Sequence, residues 1–171
     1  KTLTVDVSVE VGKAIIVLGG GNAERNSQWK TFSSVASYVY KVLLQRQFDD
    51  EKDIYFLSPS LSGVGGADTL TALETLEKAI TDWAKKQVNP QVPLYIYLLS
   101  HNLGDQFLLE KTETQEKYLS PQLLDTWLDM LPEDTPVTVV IEACYSGNFI
   151  SQNGRKSALV GDNRTIIVSA S

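Results

Sequence analysis

The sequence predicts an α/β domain built on a mainly parallel sheet with helices on both faces. Three observations carry that expectation. Apolar runs of strand length alternate with longer stretches at three-four apolar spacing, giving strand, helix, strand, helix, strand, helix, strand. Runs such as Lys13 to Leu18 and Val137 to Ile141 are apolar at nearly every position, as strands covered on both faces are. Two of these runs end near the only histidine and the only cysteine, His101 and Cys144, and open α/β sheets present their chemistry at the carboxyl ends of strands.

Thr2 to Val9 alternates in the strand period, so residues 1–12 are expected to be an edge strand or a linker from a preceding domain. Lys13 to Leu18 is the first buried strand, ending in Gly19-Gly20-Gly21-Asn22. A helix should start near Asn26-Ser27, good capping residues, with Trp29, Phe32, Val35, Ala36, Val39, Leu43 and Leu44 on its apolar face. Asp53 to Leu57 reads as the second strand, and a Gly/Ser loop from Ser60 to Gly66 is expected to be mobile at the rim of a site. Thr69 to Gln87 reads as the second long helix, with Leu70, Leu73, Leu76, Ile80 and Trp83 inward, stopped by Asn89-Pro90 and Pro93. The strand Leu94 to Leu99 then leads to His101. Phe107-Leu108-Leu109 and Lys117-Tyr118-Leu119 are expected to pair as a hairpin. Ser120-Pro121 opens a helix that runs to about Leu131, with Ser as the cap and Pro in the first turn. Pro132 and Pro136 bracket the step into the cysteine strand, a polar loop follows Gly147, and Arg164 to Ser169 is the fifth strand. The sheet and the domain are expected to continue past Ser171.

The 171 residues suit one domain with a substantial core, and 43% hydrophobic with 21% charged residues is ordinary for a globular chain. A net charge of -6 without a Lys/Arg cluster argues against a nucleic-acid surface. No apolar run approaches a membrane span, and no signal-peptide pattern is visible in this segment. A single cysteine excludes an internal disulfide, and the compartment stays open. The glycine run misses the dinucleotide pattern, because Glu24 stands where its third glycine belongs, and no Gly-Lys-Ser/Thr follows. One His and one Cys without a second pair make no metal set, so neither metal nor cofactor is expected.

A thiol attacks a carbonyl as its thiolate and needs a nearby base, and an imidazole can take that proton and later protonate a leaving amine. His101 and Cys144 are therefore a candidate dyad at one edge of the sheet. Taken singly, each residue is more often an ordinary structural one, and it is their joint placement at one edge that raises the catalytic reading beside it.

Ile141-Glu142-Ala143-Cys144-Tyr145-Ser146-Gly147 resembles the nucleophile motif of the caspase-like cysteine peptidases. It is nearest to the legumain-type branch, the asparaginyl endopeptidases and their bacterial relatives, where Glu-Ala-Cys is followed by Ser-Gly. Leu98-Leu99-Ser100-His101, then Gly104-Asp105 and Phe107-Leu108-Leu109, resembles the histidine block of that family, and His precedes Cys as it does there. The resemblance runs from Lys13 to Val168-Ser169-Ala170 and implies a caspase-like three-layer fold. It also implies a cysteine endopeptidase acting on a protein or peptide substrate, with His101 as base and acid, Cys144 as nucleophile and the amides of Asn102 and Cys144 as oxyanion hole. Glu142, Arg25 and Ser169 would line the substrate pocket, favouring Asn or a basic residue before the cut, and Asn22 or Asn26 would orient the histidine.

The family has Gly after the histidine where this chain has Asn102. That residue separates the enzyme from its main rival, an inactive caspase-like module that binds a protein partner: a side chain filling the space over Cys144 favours the module. A nucleotide-binding α/β domain, the third reading, predicts nucleotide-dependent thermal stabilisation and no thiol reactivity. Further domains of a longer chain are also expected.

Overall fold

The computed structural model describes residues 11–152 and 154–169, so the alternating segment Thr2 to Val9 lies outside the described residues. Six strands form one sheet: β1 (Lys13–Leu18), β2 (Ile54–Ser58), β3 (Thr69–Leu70), β4 (Leu94–Leu99), β8 (Val137–Glu142) and β11 (Arg164–Ser169). Their spatial order is β11-β8-β4-β1-β2-β3, and every neighbouring pair is parallel. β1 is central because its alternate residues feed two cores. Ile15 and Val17 enter the larger cluster with α3 (Leu73–Lys78) and α4 (Pro121–Leu128), while Ala14, Ile16 and Leu18 pack beneath α1 (Trp29–Gln45). The result is a three-layer α/β domain with helices on both faces.

Several elements begin where local chemistry places them. Ser120 caps α4, its hydroxyl accepting from the Leu123 N–H, with Pro121 in the first turn. Arg164, which opens β11, forms ion pairs with Asp125 and Asp129 at the far end of α4 and so ties the edge strand to the helix layer. The expected hairpin is present: β6 (Gln106–Lys111) pairs with β7 (Glu116–Leu119), with Phe107 opposite Leu119. A third short strand, β5 (Asn102–Leu103), joins it and was not foreseen.

Several expectations need correction. Asp53 does not open β2. It ends a one-turn helix, α2 (Asp50–Asp53), capped by Asp49, and its carboxylate takes the Lys13 ammonium. The helix expected over Thr69 to Gln87 starts only at Leu73, because Thr69-Leu70 pairs with β2 and the Thr71 hydroxyl donates to the Leu18 carbonyl. Leu70 is consequently 54% exposed, and the helical stretch ends in a π turn (Ala79–Trp83) and a 3-10 turn (Ala84–Lys86). Within the Gly/Ser loop Val64 is buried in the α1 layer and a Cβ on Gly66 would meet the Tyr40 ring at 2.3 Å, while Leu61 is 51% exposed. Beyond Gly147 the segment is not simply a polar loop. Phe149 and Leu159 are fully buried beside the hairpin of β9 (Ser151–Gln152) and β10 (Arg155–Lys156). On α1, Leu44 lies 38% exposed, off the apolar face assigned to it. No helix among the described residues is long and apolar enough to cross a membrane.

Candidate active site

β4 and β8 pair in register with Leu99 opposite Glu142, and Ser100 continues the ladder by donating its N–H to the Glu142 carbonyl at 3.3 Å. His101 and Cys144 each lie two positions beyond that matched pair. The sheet therefore delivers His101 and Cys144 to its carboxyl edge from adjacent strands.

His101 is held from several directions. Its carbonyl accepts from the Leu108 N–H at 2.9 Å, while the buried Ser100 hydroxyl donates to the Leu108 carbonyl at 2.6 Å. The ring packs on Phe32 of α1, centroid to centroid 4.9 Å, and Nε2 lies 3.1 Å from Asn26 Oδ1. The same Oδ1 accepts from the Gln28 backbone N–H at 2.9 Å, so it must be the amide oxygen. His101 Nε2 is then the protonated nitrogen, and the lone pair is left on Nδ1, the form a general base needs. Burial lowers the His101 pKa below its ordinary value, and the Lys111 ammonium lowers it further. Of the two orienting candidates, Asn26 meets the imidazole. Asn22 instead uses its Oδ1 for the Glu24 N–H and the Arg25 guanidinium.

The triple glycine has a packing reason. A Cβ on Gly20, at φ +79°, would stand 2.9 Å from Ser100 Oγ, 3.2 Å from Asn26 Nδ2 and 3.3 Å from His101 Cδ2. The loop after β1 is bare because the histidine and its asparagine are seated against it.

Cys144 is exposed and sits where β8 breaks into a tight turn. Tyr145 takes a left-handed conformation, φ 57° and ψ 17°, uncommon for a bulky side chain, and begins the 3-10 turn Ser146–Phe149. The turn is pinned from β11: the Ser169 carbonyl accepts from the Ala143 N–H and from the Ser146 hydroxyl, both at 3.2 Å.

Asn102 faces Phe107 across the β5–β6 pair, flanked by the His101–Leu108 hydrogen bond, so it occupies a non-hydrogen-bonded position of the ladder. Its N–H is turned away from β6 and its side chain lies on the same side as that of Phe107. Both amide atoms of that side chain are buried, without a hydrogen-bond partner. Gly104, at φ +65°, serves the tip of the β5–β6 hairpin.

Of the three expected pocket residues, two are on neighbouring strands and Arg25 follows β1, two strands from β8. Glu142 and Ser169 are paired across β8 and β11, and their side chains share one face. Glu142 accepts from the Tyr97 hydroxyl, and burial, then Glu142 itself, raises the Tyr97 pKa. Arg25 lies beyond β1, against Glu24 at 3.1 Å and Glu113 at 3.9 Å, in a groove shared with Lys111. Tyr97, Phe32 and Lys111 were not singled out from the sequence. Tyr97 had a readable signal, since it is two positions before Leu99 on the face that Glu142 shares, whereas Phe32 and Lys111 come from separate elements.

Among the described residues no cluster of three His, Cys, Asp or Glu could hold a metal ion. No protein-family model matches the chain, and no curated protein matches it.

Proposed function

We propose that this chain is a cysteine endopeptidase domain with a caspase-like, legumain-type arrangement. The observation that carries the reading is the β4–β8 register, which sets His101 and Cys144 at equal offsets past Leu99 and Glu142. The Nε2–H tautomer fixed by Asn26 leaves Nδ1 to take the thiol proton. The thiolate attacks the scissile carbonyl carbon, and the N–H groups of Asn102 and Cys144 hold the oxygen as it becomes negative. His101 then protonates the leaving amine, leaving an acyl-enzyme that water hydrolyses or a second amine accepts. Glu142 favours Asn or a basic side chain before the cut bond. No step requires a cofactor.

The non-hydrogen-bonded position of Asn102 opposite Phe107 turns its N–H away from β6, leaving that donor for an oxyanion, and this supports the enzyme over the binding-module reading. The test is labelling with acyloxymethyl-ketone probes carrying Asn or Lys, on wild type, Cys144→Ala and His101→Ala. Labelling that needs both residues is the expected result. A folded chain that no probe labels would leave the partner-binding module as the better reading.

A further inference from the structure

The loop after β1 and the β6–β7 hairpin enclose a groove of about 580 Å³ on the opposite side of His101 from Cys144 in the strand order. Two cations stand together in it. Gly21, at φ +87°, lies between them: a Cβ there would be 3.1 Å from Lys111 Cβ and 3.2 Å from Arg25 Cβ. The bare glycine thus lets the two side chains rise from adjacent points. Their carboxylate partners are surface groups, with Glu24 and Glu113 about Arg25 exposed by 79% and 86%, and Glu116 beside Lys111 by 39%, while Glu110, which also lines the groove, is taken by Lys117 at 3.2 Å and by the Leu73 N–H at 2.8 Å. Exposed ion pairs of this kind are weak and exchange readily with a competing anion. Lys111 also acts on His101, lowering its pKa after burial does so.

We propose that the Arg25–Lys111 groove takes an acidic side chain of the substrate, carried on the portion that follows the cut bond. The inference rests on the peptidase reading for its direction. The leaving amine must lie against the imidazole that protonates it, so the chain beyond the cut continues on the His101 side. Glu142 reads the residue before the cut on the Cys144 side. Glu142 and Arg25, placed at the ends of strands two apart in the sheet, then read opposite charges on opposite flanks of the bond. A basic or amide residue, the scissile bond and an acidic residue in that order is the substrate pattern this edge accepts.

The experiment uses peptides identical except for Glu, Gln or Lys at each of the first three positions after the cut. They are assayed for cleavage by the wild-type, Lys111→Gln and Lys111→Glu chains. Their binding to the Cys144→Ala chain, with and without Lys111→Glu, is followed by fluorescence anisotropy, and thermal melts check that each variant is folded. Glu should be favoured over Gln by about tenfold at one position, equivalent to ~1.4 kcal/mol. Lys111→Gln should flatten the preference and Lys111→Glu should turn it toward Lys. Equal treatment of the three side chains in both assays overturns the groove assignment while leaving cleavage untouched. Acid-selective binding by the Cys144→Ala chain that Lys111→Glu abolishes, with no cleavage by wild type, upholds the groove and removes the peptidase reading.

Discussion

The two halves of the candidate dyad are built in opposite ways. His101 is enclosed, with Phe32 on one side, Gly20 against its edge, Asn26 on Nε2 and the Leu108 N–H on its carbonyl. Cys144 is exposed, on a turn whose next residue is left-handed and which Ser169 contacts hold at its flanks. A base must present one tautomer in one orientation, which needs packing from several elements. A nucleophile must reach a substrate, which needs exposure and a sharp turn at the strand end. The comparison therefore predicts that substitutions on the two sides differ more in stability than in chemistry.

The largest effect tests that contrast directly. Cys144→Ala and His101→Ala should each lower kcat/KM by about 10³-fold or more, as removing one member of a catalytic unit does. Their stabilities should diverge. Cys144→Ala removes an exposed group and should stay within about 0.5 kcal/mol of wild type in urea unfolding. His101→Ala vacates a packed site against Phe32 and should cost about 1–2 kcal/mol. Equal stability losses would show that the enclosure of His101 is not as tight as its contacts imply.

Asn26→Ala comes next. It removes the acceptor that fixes the imidazole tautomer, and a misaligned base loses about 10²-fold in rate. Its effect on stability should be small, because the loss of the Gln28 N–H acceptor is offset by removal of Asn26 Nδ2, which is buried and unpaired. Asn26→Asp keeps an acceptor and should recover more activity than Asn26→Ala. A rate loss that tracks bulk and not the acceptor would mean that Asn26 only fills space.

Much of this contrast was already readable in the chain. The five long strands were legible because β-branched and aliphatic runs covered on both faces leave little alternative, and the hairpin around Phe107 and Leu119 kept its expected partners. The helix expected from Thr69 was misplaced because its first residues are captured by β2 and by the Leu18 carbonyl, contacts that no local propensity encodes. At the site, chemistry alone marked His101 and Cys144. The choice of Asn26 over Asn22 depended on which side chain the turn after β1 directs at the imidazole, and the separation of Arg25 from Glu142 depended on the strand order. Both are properties of the tertiary arrangement.

A pH titration sharpens the comparison with a smaller effect. The chain has one histidine, so a single imidazole signal can be followed by NMR. It should titrate below its ordinary value, for burial first and Lys111 second. The unfolded chain then binds this proton more readily than the folded one. The stability contributed by neutral, partly buried His101 is complete above the unfolded pKa and is lost as pH falls through the folded one. Lys111→Gln removes the nearby positive charge and should move the titration upward toward the ordinary value. A downward or absent shift would separate Lys111 from the site.

Tyr97→Phe should have the smallest effect and bears on the Cys144 side alone. Tyr97 donates to Glu142 across the β4–β8 pair, which lie 45 residues apart in the chain. Losing one hydrogen bond to a carboxylate that stays partly accessible should change stability by about 1 kcal/mol or less. If Glu142 reads the residue before the cut, freeing its carboxylate weakens ground state and transition state alike, so KM for a Lys-containing substrate should rise about threefold with kcat little changed. A fall in kcat instead would place Tyr97 with the base rather than with the pocket. The fixed half of the site would then extend across β4 to Glu142, and only the thiol would remain on the open side.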